Sequence, residues 1–142
     1  MGLGYFILIS KKVSQSPISQ TQKADLVITG VQNVNGRDYS VTIQNKGNAD
    51  ASKFFYVCMW DDEYIAQGNS GCNGGIIANY DGDTQMPIPL KAGSSRIVTF
   101  SGIFGLPANE NLYFVVDKSN DPKTNNSIDE SDETNNNYIF QR

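Results

Sequence analysis

The residues of this chain best suited to chemistry lie in one acidic stretch, IDESDETNNN, at positions 128–137. Calcium takes about six to eight oxygen ligands, and carboxylates and side-chain amides supply them. A strand-like run, LYFVVD at 112–117, leads into this stretch and ends in a further carboxylate. The candidate calcium ligands are Asp117, Asn120, Glu130, Glu133 and Asn135.

The same stretch supports a second, structural interpretation. Asp, Asn, Ser and Thr compete for backbone hydrogen bonds and favour turns over helices. On this interpretation the stretch is a polar connection between two strands, with Asp and Asn capping its turns and the glutamates solvated. A glycosidase pair would need two carboxylates on either side of a sugar cleft, and a short turn is a poor place for one. We therefore expect no enzymatic activity.

The amino-acid composition excludes several classes of function. The chain contains no histidine, which removes the commonest general base and the Ser-His and Cys-His nucleophile pairs. Its 15 acidic and 11 basic residues give a net charge of -4. Nucleic-acid binding needs a basic surface, so we expect no nucleic-acid partner, and the same charge disfavours an anionic membrane surface.

The pattern from residue 24 onward is typical of an all-β domain. Polar and apolar residues alternate at 39–44, as in a half-buried strand. The run FFYVCMW at 54–60 is apolar on both faces, as in a central strand. Two further strands are predicted at 25–29 and 31–34, followed by a hairpin turn at Asn35-Gly36, where both residues tolerate positive φ. Short strands joined by turns predict an antiparallel β-sandwich of about seven strands.

The N-terminus differs from the rest of the chain. Residues 1–12 comprise the apolar run MGLGYFILIS and two lysines, and the run is too short to cross a bilayer, which takes about 20 apolar residues. We interpret it as the remnant of a membrane anchor or signal segment. The alternative is an edge strand, or a strand lent to another subunit. Residues 13–23 are rich in Ser and Gln and predict a flexible spacer.

Two further sets of residues are candidates for specific roles. Cys58 and Cys72 are the two cysteines, and they form either a disulfide that closes a loop of about 15 residues or two buried free thiols. Tyr64, Tyr80 and Tyr138 are candidates for carbohydrate or peptide binding. The alternative is that these rings pack over sheet edges with their hydroxyl groups in water.

Several short segments form an ordered set at 24–27, 41–49, 90–94, 98–100, 115–117 with Asn120, and 128–136. Taken together, they resemble the CARDB domain, a cell-adhesion-related module of bacteria and archaea. The resemblance implies an immunoglobulin-like sandwich that covers residues 24–142. This chain departs from the family pattern by an insertion at 67–85, which carries Cys72, and by added residues at 121–126.

The resemblance and the composition together predict a non-catalytic module outside the cell or at its surface, for adhesion, spacing or protein interaction. Its partner would be a protein or a cell-surface glycan, and a membrane would be reached only through the N-terminal segment. Calcium is the one candidate cofactor. The alternative is a secreted carbohydrate-binding module that uses exposed aromatic side chains.

Overall fold

Seven β-strands organise the described part of the chain. The structure is a computed structural model that describes residues 1, 21–60, 76–78, 88–103, 110–118 and 128–142. The strands are β1 (Leu26–Asn33), β2 (Tyr39–Asn45), β3 (Tyr56–Trp60), β4 (Ile76–Ile77), β5 (Ser95–Phe100), β6 (Leu112–Val116) and β7 (Asn137–Phe140). Where the structure describes the chain there is no helix, and therefore none long and apolar enough to span a membrane.

The strands form two sheets that face each other. One has three strands in the order β1-β2-β5, and the other has four in the order β4-β3-β6-β7. Neighbouring strands within both sheets run antiparallel. The predicted all-β, immunoglobulin-like antiparallel sandwich of about seven strands is therefore confirmed.

Alternation along the strands builds the core between the sheets. Tyr39, Val41 and Ile43 of β2 are fully buried, whereas the residues between them are half-buried. The Tyr39 ring meets rings of the opposite sheet, with its centroid 6.4 Å from that of Phe114 and 5.8 Å from that of Phe140. Tilted and edge-on ring pairs of this kind are the favoured arrangements. The full burial of each large apolar side chain stabilises the fold by roughly 1.5–3 kcal/mol.

The N-terminal hairpin differs in detail from its prediction. The two short strands expected at 25–29 and 31–34 are one strand, β1, whose register shifts between Ile28 and Gly30. The turn lies where it was predicted, but only Gly36 has positive φ, at 83°. The connection spans five residues between β1 and β2, and Val34 N donates to Asp38 O at 2.8 Å.

Some predictions fall outside the described residues. These are most of the apolar segment at 1–12, most of the spacer at 13–23, all of the added segment at 121–126, and the insertion at 67–85 apart from residues 76–78, which include β4. They remain predictions.

Candidate functional site

Buried polar side chains concentrate at the end of the sandwich where β1 begins and β6 ends. Asp117, Glu130 and Asn136 are 0%, 3% and 5% exposed, and we call these three residues the buried polar cluster. Burying a charged group is costly unless it is paired and hydrogen-bonded. The partners of the cluster therefore indicate what it does.

Glu130 holds the start of β1 against the segment that precedes β7. Its Oε1 accepts a hydrogen bond from the Leu26 backbone nitrogen at 2.5 Å, and its Oε2 accepts one from Asn136 Nδ2 at 2.5 Å. The backbones also pair here, since Ala24 and Glu130 form a parallel bridge and Ser131 N donates to Ala24 O at 2.8 Å. One carboxylate thus joins positions 104 residues apart.

Asp117 closes the connection between β6 and the acidic stretch. It adopts a φ of 59°, a left-handed conformation that Asp tolerates better than most residues. Its backbone nitrogen donates to Tyr56 O at 2.8 Å, and its Oδ2 accepts from Ile128 N at 2.9 Å. The strand and the returning chain are also tied by Val116 N, which donates to Asn136 O at 3.0 Å.

Burial changes the acidity of Glu130. The loss of water around its carboxyl is the main cause that raises the pKa to about 7. The hydrogen bonds from Asn136 and Leu26 favour the charged form and oppose this rise, whereas the nearby charges of Asp117 and Glu133 add to it. The carboxyl group therefore changes its charge near neutral pH.

The rest of the acidic stretch mostly caps its own turns. Glu133 Oε1 accepts from Glu130 N at 3.0 Å, and Asp132 Oδ1 accepts from the backbone nitrogen and the hydroxyl of Thr134. These hydrogen bonds lower the pKa of Asp132, with the hydroxyl of Thr134 as the larger cause. Such short-range contacts are those that the structural interpretation of the sequence expects.

Two buried amide oxygens in the acidic stretch have no hydrogen-bond partner in the part of the chain that the structure describes. Asn135 Nδ2 donates to Asp25 Oδ1 at 2.8 Å, and Asn136 Nδ2 also donates to Val116 O at 3.3 Å. The Oδ1 atoms of Asn135 and Asn136 are buried without a hydrogen-bond partner among the described residues. Buried polar atoms of this kind are uncommon, because most find a partner.

The structure places four of the five predicted calcium ligands on one connection. Asp117 and Glu133 lie close enough to Glu130 for their charges to raise its pKa, whereas Asn135 bonds to Asp25. Asn120 lies outside the described residues. Within the described ranges, no three acidic, cysteine or histidine side chains are grouped in a way that could hold a metal ion.

Comparison with known proteins identifies the architecture. The family model CARDB matches residues 23–140, which is most of the chain. The chain belongs to the CARDB family. The match confirms the resemblance that the short sequence segments indicated.

Among solved structures, the CARDB domain of a Pyrococcus furiosus protein, crystallised in complex with di-metal ions, is similar to this chain. It is 15% identical, covers 87% of this chain and 94% of its own, and has a TM-score of 0.49. The search of the curated proteins returned no match.

A fourth buried polar residue, outside the buried polar cluster, secures the same end of this CARDB domain. Asn45, at the end of β2, is fully buried. Its Oδ1 accepts from the backbone nitrogens of Asp25 and Gly47, and its Nδ2 donates to the carbonyls of Ala49 and Leu90. The sequence analysis missed this residue, because an asparagine in a polar NKGN segment carries no sign that it will be buried.

Gly47 lies beside Asn45 and makes a close backbone approach possible. A Cβ atom at this position would overlap the carbonyl of Lys23 and would lie 2.6 Å from the backbone nitrogen of Asp25. Only glycine fits there without movement of the start of the domain.

Of the three candidate ligand-binding tyrosines, only Tyr138 lies among the described residues. Tyr138 is half-buried and packs against the core, which leaves only part of its ring for a ligand. Tyr64 and Tyr80 lie outside the described residues, so their binding role remains a prediction.

Three large, mainly apolar side chains form a row on the outer face of the four-stranded sheet. Trp60 pairs with Tyr113, and Tyr113 pairs with Ile139, across three strands. The strand neighbours Met59, Phe114, Tyr138 and Phe140 pack against the core, so the row faces away from it. Trp60 and Tyr113 are half-buried, and Ile139 is 53% exposed. Alternation in 54–60 places Trp60 on this face, but the partner strand cannot be identified from sequence.

Cys58 also lies on the outer face, opposite Val115 in the neighbouring strand, and is 1% exposed. Cys72 lies outside the described residues, so the bridge between them remains a prediction. Thiol titration of the denatured, unreduced protein tests it. We expect no free thiols in protein matured outside the cytosol, and two free thiols would contradict the bridge.

Proposed function

We propose that this CARDB domain is a non-catalytic module, displayed outside the cell or at its surface, that acts in adhesion, spacing or protein interaction. The observation that carries the proposal is the use of its buried carboxylates. Both oxygens of Glu130 and one oxygen of Asp117 accept hydrogen bonds that join separate segments of the fold. The acidic stretch therefore has a structural role, in which its carboxylates hold separate segments of the fold together.

An enzymatic role for these acids has little support. A glycosidase needs two carboxyl groups that reach a sugar from opposite sides. Asp117 and Glu130 are almost completely buried, so a polymer or sugar in solvent does not reach them. Their hydrogen bonds are also those expected of groups that fix backbone positions.

Rigid display is the mechanism that fits this architecture. The packed core fixes the strands, and loops and sheet edges on such a scaffold are the usual places for partners to bind. The apolar segment at 1–12 and the spacer at 13–23 support attachment to a membrane behind a flexible tether. The partner would be a protein or a cell-surface glycan.

Labelling of intact cells tests the display. Cells that make the full chain are treated with a membrane-impermeant amine reagent, with a cytosolic protein as the internal control. We expect exposed lysines such as Lys91, whose side chain is 70% exposed, to react before lysis. Labelling that appears only after lysis would contradict the proposed location.

Calcium binding at the acidic stretch is a second proposal. The unpartnered, buried Oδ1 atoms of Asn135 and Asn136 favour it, because calcium accepts amide oxygens together with carboxylates. Asp117, Glu133 and Asn135 would hold the ion, with Asn120 as the further sequence candidate. Glu130, the fifth sequence candidate, uses both of its oxygens to accept hydrogen bonds within the fold. The ion would offset the repulsion among the carboxylates and so stiffen the connection.

Thermal melting in millimolar calcium and in chelator tests this second proposal. We expect a higher melting temperature with calcium, and we expect Glu133→Gln to remove the difference. The exposed Asp50 bonds to Lys91 and to Ala92 N on another loop, so Asp50→Asn is the control and should keep the difference. Equal midpoints for the unaltered chain would exclude calcium.

Carbohydrate binding is a third candidate, and the row of Trp60, Tyr113 and Ile139 is the observation that favours it. Flat aromatic faces contact sugars well because they are large, rigid and partly polar. A glycan array with the full chain tests this candidate. We expect Trp60→Ala to abolish any hit and Tyr138→Phe to preserve it. A chain without reproducible hits would exclude sugar binding.

A further inference from the structure

The turn between β1 and β2 contains a reactive sequence. Asn35-Gly36 is the one Asn-Gly pair among the described residues, and a second pair, Asn73-Gly74, lies outside them. Asn35 and Gly36 are both exposed, and beyond the two adjacent residues no described atom lies within 4 Å of the position that a Cβ on Gly36 would take. The backbone nitrogen of a glycine is the least shielded one that a preceding asparagine side chain can meet.

We propose that Asn35 is a site of spontaneous deamidation whose rate is set by the opening of this turn. Gly36 N attacks Asn35 Cγ, so that the N–Cγ bond forms and the Cγ–Nδ2 bond breaks. Solvent relays the proton of Gly36 N to the departing amide, which leaves as ammonia. Water then opens the resulting ring at either carbonyl and leaves aspartate or isoaspartate at position 35. The two reacting groups are neighbours in one chain, which makes the attack intramolecular.

Hydrogen bonds in the closed turn hold both reacting groups away from this reaction. Gly36 N donates to Asn33 Oδ1 at 2.5 Å. Asn35 Oδ1 accepts from Arg37 N at 3.0 Å and from Asp38 N at 2.9 Å, and its Nδ2 donates to Asp38 Oδ2 at 2.7 Å. Attack requires that Gly36 N leave its acceptor and that the side chain of Asn35 turn, so the turn must first open locally.

Deamidation of Asn35 would also affect residues outside the turn. Asp38 Oδ1 accepts from Gly102 N at 2.9 Å, and Ile103 N donates to Arg37 O at 3.0 Å, so the turn holds the segment that follows β5. A carboxylate at position 35 would face the carboxylate of Asp38, where an amide donor now lies. Repulsion between the two charges would loosen the turn and the hold on Gly102.

Mass spectrometry of the aged chain tests the proposal. The full chain is kept at mildly alkaline pH, either native or unfolded in urea, and peptide mapping follows the gain of about one dalton and the isoaspartate at position 35. We expect conversion in both samples, roughly tenfold slower in the native one, because opening limits the rate. Equal rates would overturn the proposal, as would no native conversion while the unfolded sample reacts to completion.

Variants of the turn test whether its hydrogen bonds, and not the overall stability of the domain, set the rate of deamidation. Asn33→Ala removes the acceptor of Gly36 N, and we expect deamidation of the native chain to accelerate several-fold. Gln32→Ala changes a neighbouring exposed residue of β1 and should leave the rate unchanged. Asp38→Ala, which removes the acceptor of Asn35 Nδ2, is the second test and should also accelerate the reaction. Native rates that stay unchanged in both folded variants would overturn the proposal.

Discussion

Near each end of β1, a carboxylate accepts a hydrogen bond from a distant backbone nitrogen, but the two carboxylates differ in their burial. At the first end, the carboxylate of Glu130 accepts a hydrogen bond from the backbone of Leu26. Near the other end, the carboxylate of Asp38, just beyond the turn, accepts one from the backbone of Gly102. Each bond joins distant parts of the chain, but Glu130 is 3% exposed, whereas Asp38 is only half-buried.

The surroundings shift the pKa values of these two carboxylates in opposite directions. The hydrogen bond from Gly102, followed by the one from Asn35, lowers the pKa of Asp38. Loss of water raises the pKa of Glu130 despite two hydrogen bonds to its carboxylate. The hydrogen bonds stabilise the charged form of both carboxylates, but at Glu130 the loss of water outweighs them.

The largest expected effect comes from Glu130→Ala. The change removes the acceptor of the buried Leu26 nitrogen and one of the two acceptors of Asn136 Nδ2, and an unpaired buried donor costs about 1–3 kcal/mol. We expect the free energy of unfolding in urea to fall by about 2–5 kcal/mol. The neighbouring Asp129, whose side chain is 79% exposed and pairs with Lys23 at 2.6 Å, is the control, and Asp129→Ala should cost less than about 1 kcal/mol. Similar losses in both variants would remove the distinction between the two kinds of carboxylate.

The next effect is a fall in stability with rising pH. The pKa of Glu130 is about 7 in the folded chain against an ordinary value of 4.5, so the folded state binds its proton more tightly than the unfolded state. Its contribution is complete below pH 4.5 and is lost as the pH rises to about 7. The loss is about 3 kcal/mol at 1.36 kcal/mol per pKa unit.

Urea unfolding at pH 5 and pH 8 measures this loss. Glu130→Gln carries no titrating proton at this position and should flatten the difference between the two values. The carboxylates with lowered pKa values, such as Asp38 and Asp132, lose their contributions to stability only under more acidic conditions, outside this window. Equal pH dependence in the two proteins would show that Glu130 does not titrate there.

A smaller effect is expected from a single added methyl group. Gly47→Ala forces the start of the domain away from the turn, and overpacking of this kind costs about 1–3 kcal/mol. Gly30 has open space around it and no positive φ, so Gly30→Ala is the matched control and should be neutral or stabilise by less than about 1 kcal/mol. Thermal melting compares the two. A loss of equal size in both would contradict the close approach at Gly47.

The smallest loss of stability is expected for a substitution of Asp38, which follows the turn after β1. Asp38→Ala should lower the melting temperature less than Glu130→Ala does, because solvent replaces the lost contacts. Hydrogen exchange should nevertheless report a faster Gly102 amide. Asp132→Ala removes an exposed carboxylate that caps its own turn and should leave Gly102 unchanged. An unchanged Gly102 amide in Asp38→Ala would show that the turn does not hold the segment after β5.

The sequence predicts the strands well and the contacts of the site poorly, for a physical reason. Alternation at 39–44 and the apolar run at 54–60 report which face of a strand is buried, and this is local information. Glu130 and Glu133 are indistinguishable as residue types, yet one is buried against Leu26 and the other caps a turn. The partner of Glu130 lies 104 residues away, so only the assembled sheets determine which glutamate is buried.

The Leu26 backbone amide offers the most direct test of the claim that Glu130 is a structural clamp. Nuclear magnetic resonance can follow its chemical shift as the pH changes, with Glu130→Gln as the control. We expect the Leu26 amide to shift with a midpoint near pH 7, to exchange slowly with solvent, and to lose the titration in Glu130→Gln. A Leu26 amide that exchanges rapidly and does not respond to pH between 5 and 9 would contradict the clamp.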